Sequence, residues 1–261
     1  MRSLSVRVGQ EDGGKRGFNM VAGLANPFVY DSTQTRTATA YGILSWELPR
    51  LFVTGKEGNM GSAVYQEGLD REWNVSGVGH EHDLSIPESC EFVVSNLPGR
   101  VSLAVFAHAY HYPQLLSATT LELWEKVIST NLSSHFYLVR ALINQEKLAP
   151  NALLVFFSSV QALAPSKGRA LYAIMKQSAE ALTRGLAVEL APNARTVCLR
   201  MGQLDKPMHG LTVDFDYVKT RAPLGIVHAR DVARLIFQLY EQPAITGSII
   251  TVDGGHLLNI W

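Results

Sequence analysis

Short uninterrupted apolar runs recur along this chain, separated by longer stretches with helical periodicity. Residues 51–54, 102–106, 153–157 and 196–201 are runs of this kind. An apolar run without alternation is what a strand buried on both faces requires. Residues 74–79 read as another strand, and 245–252 lead into the last. Helices are predicted over about 62–71, over 119–144, through Tyr172 to a stop at Pro192, and over 229–240. In the last of these Val232, Leu235, Ile236 and Leu239 face inward; in the helix before Pro192 the apolar side is read as Ala179, Leu182, Leu186 and 188–190. Strands and helices in this order predict an α/β fold, a doubly wound and mostly parallel sheet in a single domain. That domain is read as residues 49–261. Residues 1–48, with Gly13-Gly14, Pro27 and a Ser/Thr-rich run over 32–39, read as an extension of unknown role with little regular structure.

Composition narrows the partners. The 261 residues are 47% hydrophobic and 18% charged, a globular balance. Lys plus Arg and Asp plus Glu both count 23, which argues against nucleic acid or a membrane surface as partner. The two cysteines, Cys90 and Cys198, have no pairing or metal-like spacing, and Cys198 sits in an apolar run as a core residue. With no apolar run long enough to span a bilayer and no signal-peptide core, a cytoplasmic protein is expected.

Two stretches carry candidate chemistry. The first strand runs into Gly55-Lys-Glu-Gly-Asn-Met-Gly61 and then a helix. Strand, glycines and helix N-terminus in that order set backbone N–H groups against a pyrophosphate. Gly55 would serve the tight turn, Gly58 the close approach and Gly61 the helix–strand packing. After the second strand comes Gly79-His-Glu-His-Asp83, where an acid or a base would read the ribose. His80 and His82 lack a third ligand, so no metal is expected. In the second stretch Ser159 ends a strand, Tyr172 follows thirteen residues later, and Lys176 stands four beyond it, on one helix face. Free tyrosine, with a pKa of about 10, is a poor acid at neutral pH. A nearby ammonium favours its phenolate, and a serine hydroxyl can hold a carbonyl oxygen beside it. The chemistry such a trio suits is proton transfer coupled to hydride transfer.

These residues resemble the active-site region of the short-chain dehydrogenase/reductase family. The resemblance extends to Asn131 in its Trp-containing helix and to Val252-Asp-Gly-Gly255 near the end, and covers roughly residues 50–258. It implies an NAD(P)-dependent oxidoreductase acting on a small carbonyl or alcohol substrate. The catalytic set it implies is Tyr172 as acid/base, Lys176 as its partner, Ser159 as carbonyl holder and Asn131 as a proton relay through a helix kink. The implied cofactor contacts are Gly55, Lys56, Gly58, Met60, Gly61, His80, Asp83, Ala107, His108, Ala109, Tyr172, Lys176 and Gly202. Asp83 is read as meeting the adenine amine, with the second helix nearly absent. The segment 203–225 is read as a substrate lid, lined by Met208, His209, Leu211, Phe215 and Tyr217. The apolar tail 257–261 suggests a subunit interface, and the family implies a homodimer or homotetramer.

The chain departs from the family pattern in places. Ala107-His-Ala-Tyr110 stands where Asn-Asn-Ala-Gly is usual, and Met201-Gly202 where Pro-Gly is usual. The glycine spacing is similar to that of sugar-nucleotide-modifying relatives. A sugar-nucleotide reductase or epimerase, or a cofactor sensor on the same fold, therefore remain alternatives. The cofactor is NAD or NADP: Glu81, twenty residues after Gly61, favours NAD, and Lys56 favours NADP. The balance leans to NAD.

Overall fold

The structure, a computed structural model, describes residues 48–207 and 212–259. Among these, six strands form one parallel sheet: β1 (Arg50–Thr54), β2 (Asn74–Val78), β3 (Val101–Phe106), β4 (Leu148–Ser159), β5 (Ala194–Met201) and β6 (Ser248–Val252). Their order across the sheet is β2-β1-β3-β4-β5-β6. The apolar runs become strands because both sheet faces are covered. Alternate residues Leu51, Val53, Leu103, Val105, Leu153 and Val155 enter one core layer, together with residues of α1 (Asn59–Asp70) and α7 (Ala229–Tyr240). Phe52, Ala104, Phe106, Leu154 and Phe156 enter the other, with residues of α2 (Pro87–Ser95) and α4 (Ser134–Asn144). The chain leaves β1 for β2 on one side and returns to β3 on the other. The loops after β1 and β3 therefore meet at a topological switch point, where open α/β sheets bind ligands.

Three expectations are corrected. The crossover between β2 and β3 is not nearly devoid of helix: α2 spans nine residues, begins with Pro87 in its first turn and buries Cys90, Val93 and Val94. The long helix over 119–144 is three elements. They are α3 (Leu121–Ile128), a π turn over Ser129–Ser133 and α4. On α5 (Ala170–Leu190) Val188 faces solvent, while Glu180 is 2% exposed. Ser158 Oγ donates to Glu180 Oε1 at 2.7 Å, and Arg200 grips both carboxylate oxygens at 2.9 and 2.8 Å, so the burial is fully partnered. Cys90 and Cys198 are both buried thiols, and burial pushes each up to about 12. The readings placed on residues 1–47, on Met208, His209 and Leu211, and on the last two residues of the tail lie outside the described residues. Among the described residues no helix is long and apolar enough to cross a membrane.

Candidate active site

The β1–α1 loop follows from its glycines. Gly55 has φ +68°, a conformation that L side chains rarely adopt, and a Cβ there would stand 2.8 Å from the Cα of His108. A Cβ on Gly61 would lie 2.0 Å from the Gly55 carbonyl oxygen. The first turn of α1 therefore lies directly against the loop. Gly58 is the N-cap, offers no side-chain cap, and the first helical turn carries no acid. The first N–H groups of α1 are thus left for an anion. This cradle fits the pyrophosphate of a nicotinamide dinucleotide. Met60, by contrast, is buried in the core, and a Cβ built on Gly202 would fall 2.7 Å from the Asp253 Cα and collide.

At the tip of β2 the sequence reading is sharpened. Lys56 and Glu81 form an ion pair at 2.6 Å, and the lysine holds the Glu81 carboxyl down at about 2. The two residues read as opposing signals for the cofactor neutralise each other. Asp83 closes a local turn, accepting from Ser85 N–H at 3.0 Å and Ser85 Oγ at 2.6 Å, bonds that hold its carboxyl below the usual range. His80 is exposed, and its backbone N–H donates to Glu57 Oε2 at 3.2 Å.

The altered loop after β3 is anchored by its histidine. Ser134 Oγ donates to the Thr130 carbonyl at 2.6 Å, so it accepts from His108 Nε2 at 2.7 Å. Nδ1 of His108 then accepts from Thr54 Oγ1 at 2.5 Å. Burial, reinforced by the Lys176 charge, pushes His108 down to about 3, so this tautomer is neutral. Beside it lies the ring of His135, 4.7 Å away and flanked by Phe106 and Phe156, with both nitrogens buried and unpartnered. Asn131 sits in the π turn. Its carboxamide accepts from Tyr110 N–H at 3.0 Å and donates to the carbonyls of Tyr110 at 2.9 Å and Val127 at 2.8 Å. It thereby ties the segment after Ala109 to the helix.

Ser159 ends β4 and caps a short 3₁₀ turn, its Oγ accepting from Gln161 N–H at 3.2 Å. That bond uses a lone pair and leaves the hydroxyl proton to donate. Lys176 donates to the Phe157 carbonyl at 3.0 Å, two residues before Ser159, and its Nζ lies 5.5 Å from the centre of the Tyr172 ring. The structure thus brings Tyr172, Lys176 and the end of β4 together. His111, just beyond the altered loop after β3, stands beside this group. Its ring lies 4.2 Å from that of Tyr172, its Nε2 accepts from Arg169, and burial pushes it down to about 4. Arg169, three residues before Tyr172, was missed; only its place next to the Tyr172 helix could have signalled it. Of the lid residues, Phe215, the first residue of α6 (Phe215–Arg221), lines a cavity of about 530 Å³ with Asp205, Lys219, Leu224 and His228, whereas Tyr217 is exposed. Asp205 accepts from Asn59 Nδ2 at 3.2 Å, which sets this cavity beside the start of α1.

A family model described as enoyl-(acyl carrier protein) reductase matches residues 67–256. A 3-oxoacyl-[acyl-carrier-protein] reductase from Chlamydia pneumoniae is 28% identical over 212 residues, 78% of this chain and 85% of that protein. The bovine (Bos taurus) protein of the same description is 30% identical over 182 residues, 68% of this chain and 74% of its own length. Among solved structures, a short-chain dehydrogenase from Burkholderia cenocepacia in complex with NADP superposes with a TM-score of 0.71 at 20% identity, covering 80% of this chain and 98% of that one. At that identity the superposition speaks for the fold. The matched family model, the relatives and the glycine cradle agree: the chain belongs to the short-chain dehydrogenase/reductase family of NAD(P)-dependent oxidoreductases.

Proposed function

We propose that this protein interconverts a small carbonyl compound and its alcohol, with Tyr172 as the acid/base. The observation that carries the reading is the placement of Lys176, held by the Phe157 carbonyl beside the Tyr172 ring and next to Ser159. The residues that would hold the dinucleotide are Gly55, Gly58 and Gly61 with the start of α1, the loop at Ala107–Ala109, and Tyr172 and Lys176. When bound, the nicotinamide supplies or accepts the hydride. The chain's own residues do the rest. The Ser159 hydroxyl donates to the carbonyl oxygen and orients it. The Tyr172 hydroxyl passes its proton to that oxygen as it becomes an alcohol, and in the reverse direction the phenolate takes the proton back. The Lys176 ammonium stabilises that phenolate by charge. Asn131 acts here as a positioning residue, because its carboxamide is already committed to backbone groups.

Supporting a carbonyl substrate class, the relatives named above are acyl-carrier reductases, although their acyl substrates remain theirs. A cofactor sensor would need no tyrosine poised beside a lysine. We also propose a homo-oligomer, supported by apolar side chains exposed on α4 and α5: Phe136, Ile143, Ile174 and Val188. The test of the reaction is a screen of carbonyl compounds for consumption of NADH or NADPH, repeated with Tyr172→Phe. That variant is expected to lose about 10²–10⁴-fold in turnover while still binding dinucleotide. Turnover near wild type would remove Tyr172 from the role.

A further inference from the structure

The tip of β2 is where a Rossmann-type site distinguishes the two nicotinamide dinucleotides, an acid there accepting from the adenosine ribose. In this chain the residue at that tip, Gly79, has no side chain, and a carboxylate from another element lies over it. A Cβ built on Gly79 would fall 1.8 and 2.0 Å from the two Glu57 oxygens. Glu57 belongs to the glycine loop after β1. Its Oε2 accepts from the His80 backbone N–H at 3.2 Å, which holds the carboxylate on the strand tip, and among the described residues Oε1 accepts from no protein donor. Glycine at position 79 is what admits it, and Gly79 lies outside the positive-φ region where a substitution would be strained in itself.

We propose that Glu57, reaching across from the glycine loop, is the residue that reads the adenosine ribose, and that it makes this a site for NAD(H) in preference to NADP(H). The assignment rests on the oxidoreductase reading above and adds to it the group that sets cofactor choice. The charges around Gly79 decide the direction. Lys56, the neighbour of Glu57 in the glycine loop, is engaged with Glu81 at 2.6 Å and with the Gly77 carbonyl at 3.5 Å. A 2′-phosphate would have to break that pair to gain one lysine, while meeting the Glu57 carboxylate, which forms no ion pair among the described residues. A 2′-hydroxyl needs only an acceptor, which Glu57 provides. A phosphate beside an uncompensated carboxylate in a half-exposed site is disfavoured by roughly 10–100-fold in affinity.

The experiment is a set of dissociation constants for NADH and NADPH at pH 8, read by quenching of tryptophan fluorescence, with melting temperature as the control for folding. Wild type is expected to bind NADH the more tightly. Glu57→Gln is expected to loosen NADH and tighten NADPH, erasing most of the preference. Gly79→Ala, which leaves every charge in place but takes the space of the Glu57 carboxylate, is expected to do the same. Glu81→Gln, which frees Lys56, is expected to tighten NADPH without loosening NADH. Tighter binding of NADPH by wild type, or an unchanged ratio in Glu57→Gln, would overturn the proposal. So would loss of NADH affinity in Glu81→Gln rather than in Glu57→Gln, which would return the role to the acid after β2. A wild-type protein that binds neither dinucleotide would overturn the oxidoreductase reading itself, and this assignment with it.

Discussion

His108 stands in the loop where relatives place an asparagine, and its behaviour follows from two hydroxyls. Thr54 donates to one ring nitrogen and Ser134 accepts from the other, so a neutral imidazole bridges β1 and α4 as a carboxamide can. Protonation would cost the Thr54 bond and bury a charge near Lys176, which is why its pKa falls to about 3. The consequence for stability has a definite sign. The unfolded chain takes up a proton on this histidine near pH 6.5, and the native one refuses it down to about 3. Its contribution is thus complete above pH 6.5 and is lost as pH falls from there toward 3. His111, lowered to about 4, acts in the same direction. His108→Asn is expected to leave a folded protein whose urea stability falls less steeply below pH 6.5. One proton fewer changes that slope by about 1.4 kcal/mol per pH unit. Equal slopes for variant and wild type would mean that the ring is not held neutral. The sequence exposed the substitution at position 108, but not its meaning, because the partners Thr54 and Ser134 lie far away along the chain.

At the scale of elements, what repeats could be read and what interrupts could not. All six strands fell on apolar runs or strand-like segments, the last within 245–252, and Tyr172 and Lys176 lay on one helix face, because both signals depend on local spacing. The π turn at Ser129–Ser133 was not read from periodicity, which gave 119–144 as one helix; only the family resemblance placed a kink at Asn131. Charged residues that fold inward were equally silent. Arg195 is 5% exposed and donates to Gln242 O at 2.7 Å, to Tyr240 O at 2.8 Å and to Asn151 Oδ1 at 2.9 Å. It thereby closes the C-terminal end of α7 with a cation, the favourable sign there. Glu57 in the glycine loop carried no pattern of its own either. The π turn has a testable role through Asn131. Asn131→Ala would leave the Tyr110 N–H and carbonyl without their side-chain partners and is expected to cost about 1–3 kcal/mol. Turnover is expected to fall more than dinucleotide affinity, since the freed segment borders His111 and Tyr172. Loss of stability with turnover per folded molecule unchanged would make Asn131 purely structural.

The whole molecule poses the question of what the first residues contribute. β1 begins at Arg50 and lies inside the sheet, paired to β2 over five residues and to β3 over four. The entry to β1 is itself fastened: Asn74 N–H donates to the Pro49 carbonyl and Asn74 Nδ2 to that of Leu48, both at 3.1 Å. From there onward both faces of the sheet carry a continuous core, one layer sealed by α1 and α7, the other by α2, α4 and α5. Each strand has its neighbours, and each candidate catalytic side chain its partners, within residues 48–259. A core of this size, with two filled layers, is expected to fold cooperatively by itself. A chain starting at Glu47 is therefore expected to be soluble, to unfold in one transition within a few degrees of the full chain, and to bind dinucleotide with the same affinity. Calorimetry and the fluorescence titration described above would measure both. A broad or absent transition would show that residues 1–46 complete the core. An intact transition with weakened dinucleotide binding would assign them to the site instead.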